Sequence, residues 1–186
     1  MLSINDLSNG SFVIIDGDPY QVMSVKHQHI GRGGSSVQTK LRNVRTTQVL
    51  DRNFKPADMF EEADIEKTPV KFIYDHRGEY WFAEAGKRLA LKEGQLGESA
   101  KFLKPNIDVT ALKFNGQIIN IILPIKIDYK VMEAPPAVRG DTAQGGTKVI
   151  TLEGGLKVSA PLFINEGDIV RVNTETGLYA ERMEKA

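Results

Sequence analysis

Residues 20–44 read YQVMSVKHQHIGRGGSSVQTKLRNV. Tyr20 to His29 has the character of a β-strand. Val37 to Val44 returns, with Val37, Thr39 and Leu41 on one face and Gln38, Lys40 and Arg42 on the other. Gly31-Arg32-Gly33-Gly34 supplies the turn between them. Glycine lacks a Cβ, so such a turn can enter φ > 0 and approach another backbone closely. A strand of eight residues at about 3.3 Å per residue reaches about 26 Å. The hairpin therefore carries one charged side chain, Arg32, well away from the body of its domain.

Most glycine-rich hairpin tips are plain turns, and an exposed arginine is usually solvated. A phosphate-cradling P-loop is excluded, because its Lys-Ser/Thr ending is missing and a strand follows where a helix should begin. Charge distinguishes this hairpin from a plain turn. No Asp or Glu lies between Gln21 and Leu50, while Lys26, Arg32, Lys40, Arg42 and Arg45 all do, with His27 and His29 beside them. In a chain with 24 basic and 24 acidic residues this is a concentrated positive element, the footprint that a phosphate backbone attracts.

The rest of the composition is ordinary. Of 186 residues, 41% are apolar and 26% charged, which excludes a disordered tail and a globally basic binder. No apolar run of 18 residues suggests a membrane span. The start, Met1-Leu2-Ser3-Ile4-Asn5-Asp6, lacks the basic and apolar regions of a signal peptide, so a cytoplasmic protein is expected. Cysteine is absent, which removes disulfides, thiol nucleophiles and cysteine-based zinc sites.

Three blocks are expected. Residues 1–64 read as five short strands in a small SH3-like barrel, with strands at Ser11–Ile15 and Thr46–Leu50 and a helical turn begun at Pro56. This block closes on an acidic run, Asp58, Glu61, Glu62, Asp64 and Glu66, whose plain reading is a solvated edge. Residues 65–126 contain two hairpins, around Asp75-His76-Arg77-Gly78 and Asn115-Gly116, with a helix expected over Leu91–Leu103. That order fits a five-stranded OB-type barrel. Phe72, Trp81 and Phe82 are expected mainly in its core, although exposed rings could stack on bases. Residues 127–186 read as another all-β barrel of the OB type, with a second glycine-rich loop over Gly140–Thr147.

Catalytic chemistry finds few carriers. His27 and His29 share a strand face but have no third ligand nearby. Ser35 and Ser36 lack a base and an orienting acid. The acidic run offers paired carboxylates with no sign of a pocket around them. The chain reads as a binding protein rather than an enzyme, with no catalytic residue, metal or cofactor expected.

Further residues carry a resemblance over the whole length. Lys148, Gly155, Leu156, Val158, Pro161, Ile164 and Gly167 fall at the spacing of the bacterial elongation factor P signature. Ile150 and Ala160 depart from it while staying apolar. Gly140-Asp141-Thr142-Ala143 matches the loop that separates this family from its elongation factor P-like paralogue, and Thr176-Gly177-Leu178-Tyr179-Ala180-Glu181-Arg182 matches the family's ending.

The resemblance implies an L-shaped, tRNA-mimicking monomer built from a KOW-type SH3-like barrel and two OB barrels. It implies binding to the ribosome between the P and E sites, where the P-site peptidyl-tRNA is positioned and bond formation at consecutive prolines is stimulated. Gly31, Arg32, Gly33, Gly34, Lys40 and Arg42 would then face the tRNA. Gly140, Asp141 and Thr142 would lie near the E-site codon of the mRNA, and Tyr179 and Arg182 near the anticodon stem. Family members commonly carry a modified lysine at the tip, and a subgroup carries a rhamnosylated arginine. At Arg32 lysine chemistry is excluded by residue type. Rhamnosylation by an arginine-modifying glycosyltransferase and an unmodified guanidinium, itself a planar fork of donors, both stay open. The alternatives in function are the paralogue and a general single-strand RNA-binding OB protein.

Overall fold

The computed structural model describes the backbone of residues 1–30, 34–136 and 146–186, and the side chains of these except 28–30, 34 and 35. The chain is all-β, as expected, with three sheets. Among the described residues no helix is long and apolar enough to cross a membrane.

The first sheet contains β1 (Leu2–Ser3), β2 (Phe12–Ile15), β3 (Asp18–Ile30), β4 (Gly34–Asn43), β5 (Val49–Phe54) and β6 (Met59–Glu62). Their order is β1-β6-β2-β3-β4-β5, and every neighbouring pair is antiparallel. β2 is apolar throughout because both its faces are covered. Val13 and Ile15 enter a core with Ile4, Leu7, Val22, Val37, Leu41, Phe54 and Phe60. Phe12 and Ile14 pack instead on a second cluster of Val44, Ala63, Leu112, Phe114 and Ile119. The rings of Phe54 and Phe60 meet edge to face at 4.6 Å, which joins β5 to β6.

The expected faces of the returning strand are observed: Val37, Thr39 and Leu41 are buried, while Lys40 and Arg42 are exposed. Two expectations in this block need correction. The strand placed at Thr46–Leu50 begins only at Val49, because Asn43 folds residues 43–48 into a turn. The helical turn at Pro56 is a β-turn. Asp58 returns its N–H to the Lys55 carbonyl at 3.0 Å, and its carboxylate accepts the Lys55 N–H at 2.8 Å. The short strand β1, at the sheet's edge, was not expected.

The second sheet runs β11-β10-β7-β8-β9, from β7 (Ile65–His76), β8 (Glu79–Glu84), β9 (Lys87–Lys92), β10 (Asp108–Phe114) and β11 (Gln117–Ile122). Asn115 and Gly116 take φ of 52° and 75°, the left-handed pair that a tight two-residue hairpin requires. The edge strands β9 and β11 touch, and the short helix α1 (Glu93–Leu96) lies against both. The long helix expected over Leu91–Leu103 is therefore replaced. Leu91 belongs to a strand that ends at Lys92, α1 makes one turn, Gly97 breaks it at φ 53°, and a 3-10 helix covers Gly97–Phe102.

The third sheet runs β14-β13-β12-β15-β16, from β12 (Lys126–Glu133), β13 (Thr147–Leu152), β14 (Lys157–Pro161), β15 (Ile169–Asn173) and β16 (Tyr179–Glu184). Contact between β14 and β16 closes it. Its core holds Ile127, Tyr129, Val131, Ile150, Leu152, Val158, Ala160, Ile164, Val170 and Val172, with Phe102. Ile150 and Ala160, the two departures from the family signature, are fully buried, so apolar character is what these positions need. The Tyr129 hydroxyl donates to the Phe102 carbonyl at 2.5 Å, and burial drives its pKa up.

The contacts divide the chain into two compact units. One comprises Met1–Val70, Asp75–Gly97 and Thr110–Ile122, and the other Lys71–Tyr74, Glu98–Val109 and Leu123–Ala186.

Candidate nucleic-acid interface

Residues directly opposite in an antiparallel pair share a face. On the solvent face of the long hairpin the register builds three rungs: Gln21–Arg42–Val49, Ser24–Lys40–Asp51 and Lys26–Gln38–Asn53. Arg42, Lys40 and Lys26 thus lie on one face across two strands, the first two being side-by-side on β4. A bulge between Val22 and Ser24 sets this register, since without the extra residue Met23 the side chains of β3 nearer the tip would change faces. The sequence window without acids ends at Leu50, and Asp51 follows on the neighbouring strand, opposite Lys40. This carboxylate lowers the field at the centre of the positive face, and only the strand register reveals it.

The tip residues Gly31, Arg32 and Gly33 lie outside the described residues. Gly34 is the first residue of β4, paired with Ile30. His27 pairs with Val37, on the face opposite Lys26 and Lys40, and is exposed; the side chain of His29 lies outside the described residues. Gly140, Asp141 and Thr142 also lie outside them. What is described is the base of their loop. Lys148, a signature residue, donates from Nζ to the Pro135 carbonyl at 2.9 Å, joining the two sides of the connection between β12 and β13.

Tyr179 and Arg182 are three apart, which in a regular strand puts them on opposite faces. Here Tyr179 lies opposite Val172 and Arg182 opposite Val170, both buried, because a bulge intervenes. The two candidate residues are thereby brought to the same inward-leaning face. Arg182 lies over the Phe163 ring at 5.1 Å and reaches Asp168 at 3.5 Å. Asp168 is fully buried and accepts the N–H groups of Asn165 and Ala186, each at 2.9 Å. Burial pushes its carboxyl up, but these two N–H groups and the Arg182 guanidinium outweigh that, and the pKa is lowered. Tyr179 packs against the barrel core, and burial raises its phenol. Both side chains hold the barrel together whatever else they touch.

The outer face of the same barrel carries a rung of charge, Asp128–Arg171–Glu181. Arg171 binds Asp128 in a fork at 2.6 and 3.0 Å and Glu181 at 3.3 Å. The Arg171 hydrogen bonds hold the Asp128 pKa below its ordinary value.

Phe72 and Phe82 are buried, so they offer no platform for bases; Trp81 is half-buried. The acidic run is not featureless. Ser11, Phe12, Glu62, Ala63, Asp64, Ile65 and Lys67 line an open groove of about 530 Å³, with the Lys67 ammonium over the Phe12 ring at 5.8 Å. Among the described residues no group of three or more His, Asp or Glu side chains is placed to hold a metal ion.

Two family models match the chain. Residues 3–60 match the elongation factor P (EF-P) KOW-like domain, and residues 127–182 match elongation factor P, C-terminal. A protein of Moorella thermoacetica named elongation factor P is 40% identical over 184 residues, covering 98% of this chain and all of the relative. One of Synechococcus sp. strain JA-3-3Ab, with the same name, is 40% identical at the same coverage. Two solved structures resemble part of the fold. A translation initiation factor eif-5a family protein from Naegleria fowleri has a TM-score of 0.47 at 15% identity, covering 65% of this chain and 94% of its own. Eukaryotic translation initiation factor 5A from Methanococcus jannaschii has 0.46 at 18% identity, with the same coverage.

Proposed function

The chain belongs to the elongation factor P family of translation factors, and on that premise we propose that it binds the ribosome between the P and E sites, positions the P-site peptidyl-tRNA and stimulates peptide bond formation at consecutive prolines. The observation that carries this reading is the solvent face of the β3–β4 hairpin. It gathers Lys26, Lys40 and Arg42 on a hairpin whose strands are thirteen and ten residues long, in a chain of zero net charge.

Proline is a constrained, poor nucleophile, so a factor that holds the tRNA end needs no acid or base of its own. Positioning suffices, because a misplacement of about 1 Å can cost about a hundredfold in rate. In this reading Arg32, bare or rhamnosylated, and the glycines around it meet the acceptor end of the tRNA, while Lys40 and Arg42 hold its backbone. Residues 140–142 lie by the mRNA at the E site, and Tyr179 and Arg182 lie toward the anticodon stem. The division into domains 1–64, 65–126 and 127–186, a monomeric state and a cytoplasmic location belong to the same proposal.

The test is synthesis of a reporter with three consecutive prolines in a reconstituted translation system. Arg32→Ala is expected to retain the fold by circular dichroism and to lose the stimulation. Full stimulation by this variant overturns the role of the tip. Intact mass and peptide mapping of protein from its own cells decide between a bare arginine and one carrying a deoxyhexose.

A further inference from the structure

We infer that Asn120, on the second sheet, is a positioning residue that fixes the direction of the β3–β4 hairpin. The inference rests on the role proposed for that hairpin.

Asn120 is buried, 8% exposed. A bulge brings it there. Lys113 pairs with Ile118 but Leu112 pairs with Asn120, so Ile119 is the extra residue, and Ile119 and Asn120 are buried in succession. The amide is oriented by its own strand. Its Oδ1 accepts the Ile121 N–H at 2.7 Å, so Nδ2 is the end that faces the Val44 carbonyl, at 2.8 Å. The opposite amide orientation would set donor against donor and acceptor against acceptor.

Val44 directly follows the returning strand of the hairpin, and its N–H donates to the carbonyl of Pro19, near the start of the outgoing strand, at 2.9 Å. One side chain of the second sheet is therefore tied to both legs of the hairpin at its root. Two further contacts flank it. The Arg45 guanidinium pairs with Asp18 at 3.3 Å and lies 5.8 Å over the Phe114 ring. Thr47 Oγ1 lies 3.1 Å from where a Cβ on Gly97 would stand. All these residues belong to one compact unit.

Apolar packing around Val44 is non-directional, whereas a buried hydrogen bond fixes an angle and is costly to leave unmade. The lever is long. A tilt of about 3° at the root moves a point about 30 Å along the hairpin by about 1.5 Å, enough to matter to a reaction that depends on positioning.

The chain has no cysteine, so nitroxide labels attach only where cysteines are introduced: Asn53→Cys on β5 and Arg88→Cys on β9, both exposed. Electron–electron distance measurements are made with and without Asn120→Ala, and the unlabelled variant is assayed for triple-proline synthesis. The expected result is a broadened distance distribution together with a fall of about tenfold in the rate at saturating factor, while the half-saturating concentration changes less than twofold. Asn120→Asp keeps the volume and the bond to Ile121 but sets an acceptor against the Val44 carbonyl. It is read in the same way and replaces the alanine variant if that fails to fold. An unchanged distribution, an unchanged rate, or a rate that falls only with the folded fraction overturns the inference. Arg32→Ala run in parallel separates the two readings. If it stimulates fully, the hairpin-tip reading has failed; if it loses stimulation while Asn120→Ala keeps it, the root clamp has failed.

Discussion

Thr47 and Gly177 occupy the same place in the same turn, one in the first sheet and one in the third. Asn43 Oδ1 accepts the N–H groups of Arg45 and Thr46, as Asn173 Oδ1 accepts those of Glu175 and Thr176. The Asn43 N–H reaches the Gln48 carbonyl and the Asn173 N–H the Leu178 carbonyl, each at 2.9 Å. Thr47 and Gly177 then return their N–H groups to the carbonyls of Asn43 and Asn173, at 2.9 and 2.8 Å. The next equivalence also holds: Val44 donates to Pro19 and Thr174 to Ile125.

The shared turn requires a left-handed residue, with φ of 62° at Thr47 and 71° at Gly177. Glycine accepts that conformation, while a β-branched side chain is strained by about 1–3 kcal/mol. Part of the relief on substitution is offset by the greater freedom of glycine in the unfolded chain. Thr47→Gly is therefore expected to stabilise the protein by about 1 kcal/mol, a rise of about 2–4 °C in Tm measured by calorimetry. A lower Tm would mean that the Thr47 side chain, packed against Gly97, contributes more than its strain costs.

These turns also show why parts of the fold were legible in the sequence and others were not. The long hairpin and its faces followed from the alternation Val37, Thr39, Leu41 against Gln38, Lys40, Arg42, which has one burial solution. Asn115-Gly116 named its own turn. By contrast, Asn43-Val44-Arg45-Thr46-Thr47-Gln48 hides its turn, because a threonine stands where its counterpart has glycine, and β5 was accordingly placed too early. Strand β9 is hard to read in the sequence because its turn, Ala85-Gly86, bends the chain with an alanine at φ 44°. The Tyr179–Arg182 pairing and the aim of Asn120 both depend on bulges, which leave no mark in a period-2 pattern. The positive hairpin was legible as composition. Its partial neutralisation by Asp51 was not, since that depends on register.

That register makes a charge prediction that is independent of the tip. Lys40→Ala is expected to weaken binding to the ribosome, and to reduce the steepness of the log–log dependence of affinity on salt by about one unit if Lys40 neutralises one phosphate. Asp51→Asn, directly opposite, is expected to do the reverse and tighten binding at low salt, because it removes the acidic group that shares the rung of Lys40. Affinities measured between 50 and 200 mM salt, on the order of the Debye range that matters here, decide it. If Asp51→Asn leaves affinity unchanged at low salt, this face of the hairpin is not where phosphates lie.

The last prediction concerns acid and the third barrel. The folded pKa of Asp168 lies below its ordinary value of 3.8, and that of Asp128 is lowered too, the first by N–H groups and Arg182 against burial, the second by Arg171. A carboxylate with a depressed folded pKa binds its proton more weakly when folded than when unfolded, so its contribution is fully present above the unfolded value and is lost as the pH falls through the folded one. The Asn165 and Ala186 N–H groups bond different oxygens of Asp168, so Asp168→Asn keeps an acceptor for one of them and removes the charge that faces Arg182. The variant is expected to be less stable than the parent at neutral pH, with the difference narrowing steadily below about pH 4 as the parent's carboxylate is protonated. Arg171 and Asp128 remain in the variant, so some acid sensitivity persists; the double variant with Asp128→Asn should flatten it further. Urea unfolding at stepped pH values measures both differences. A gap between parent and Asp168→Asn that stays constant down to pH 2 would show that the loss comes from the missing N–H partner or altered packing around Arg182 and Phe163 rather than from the buried charge.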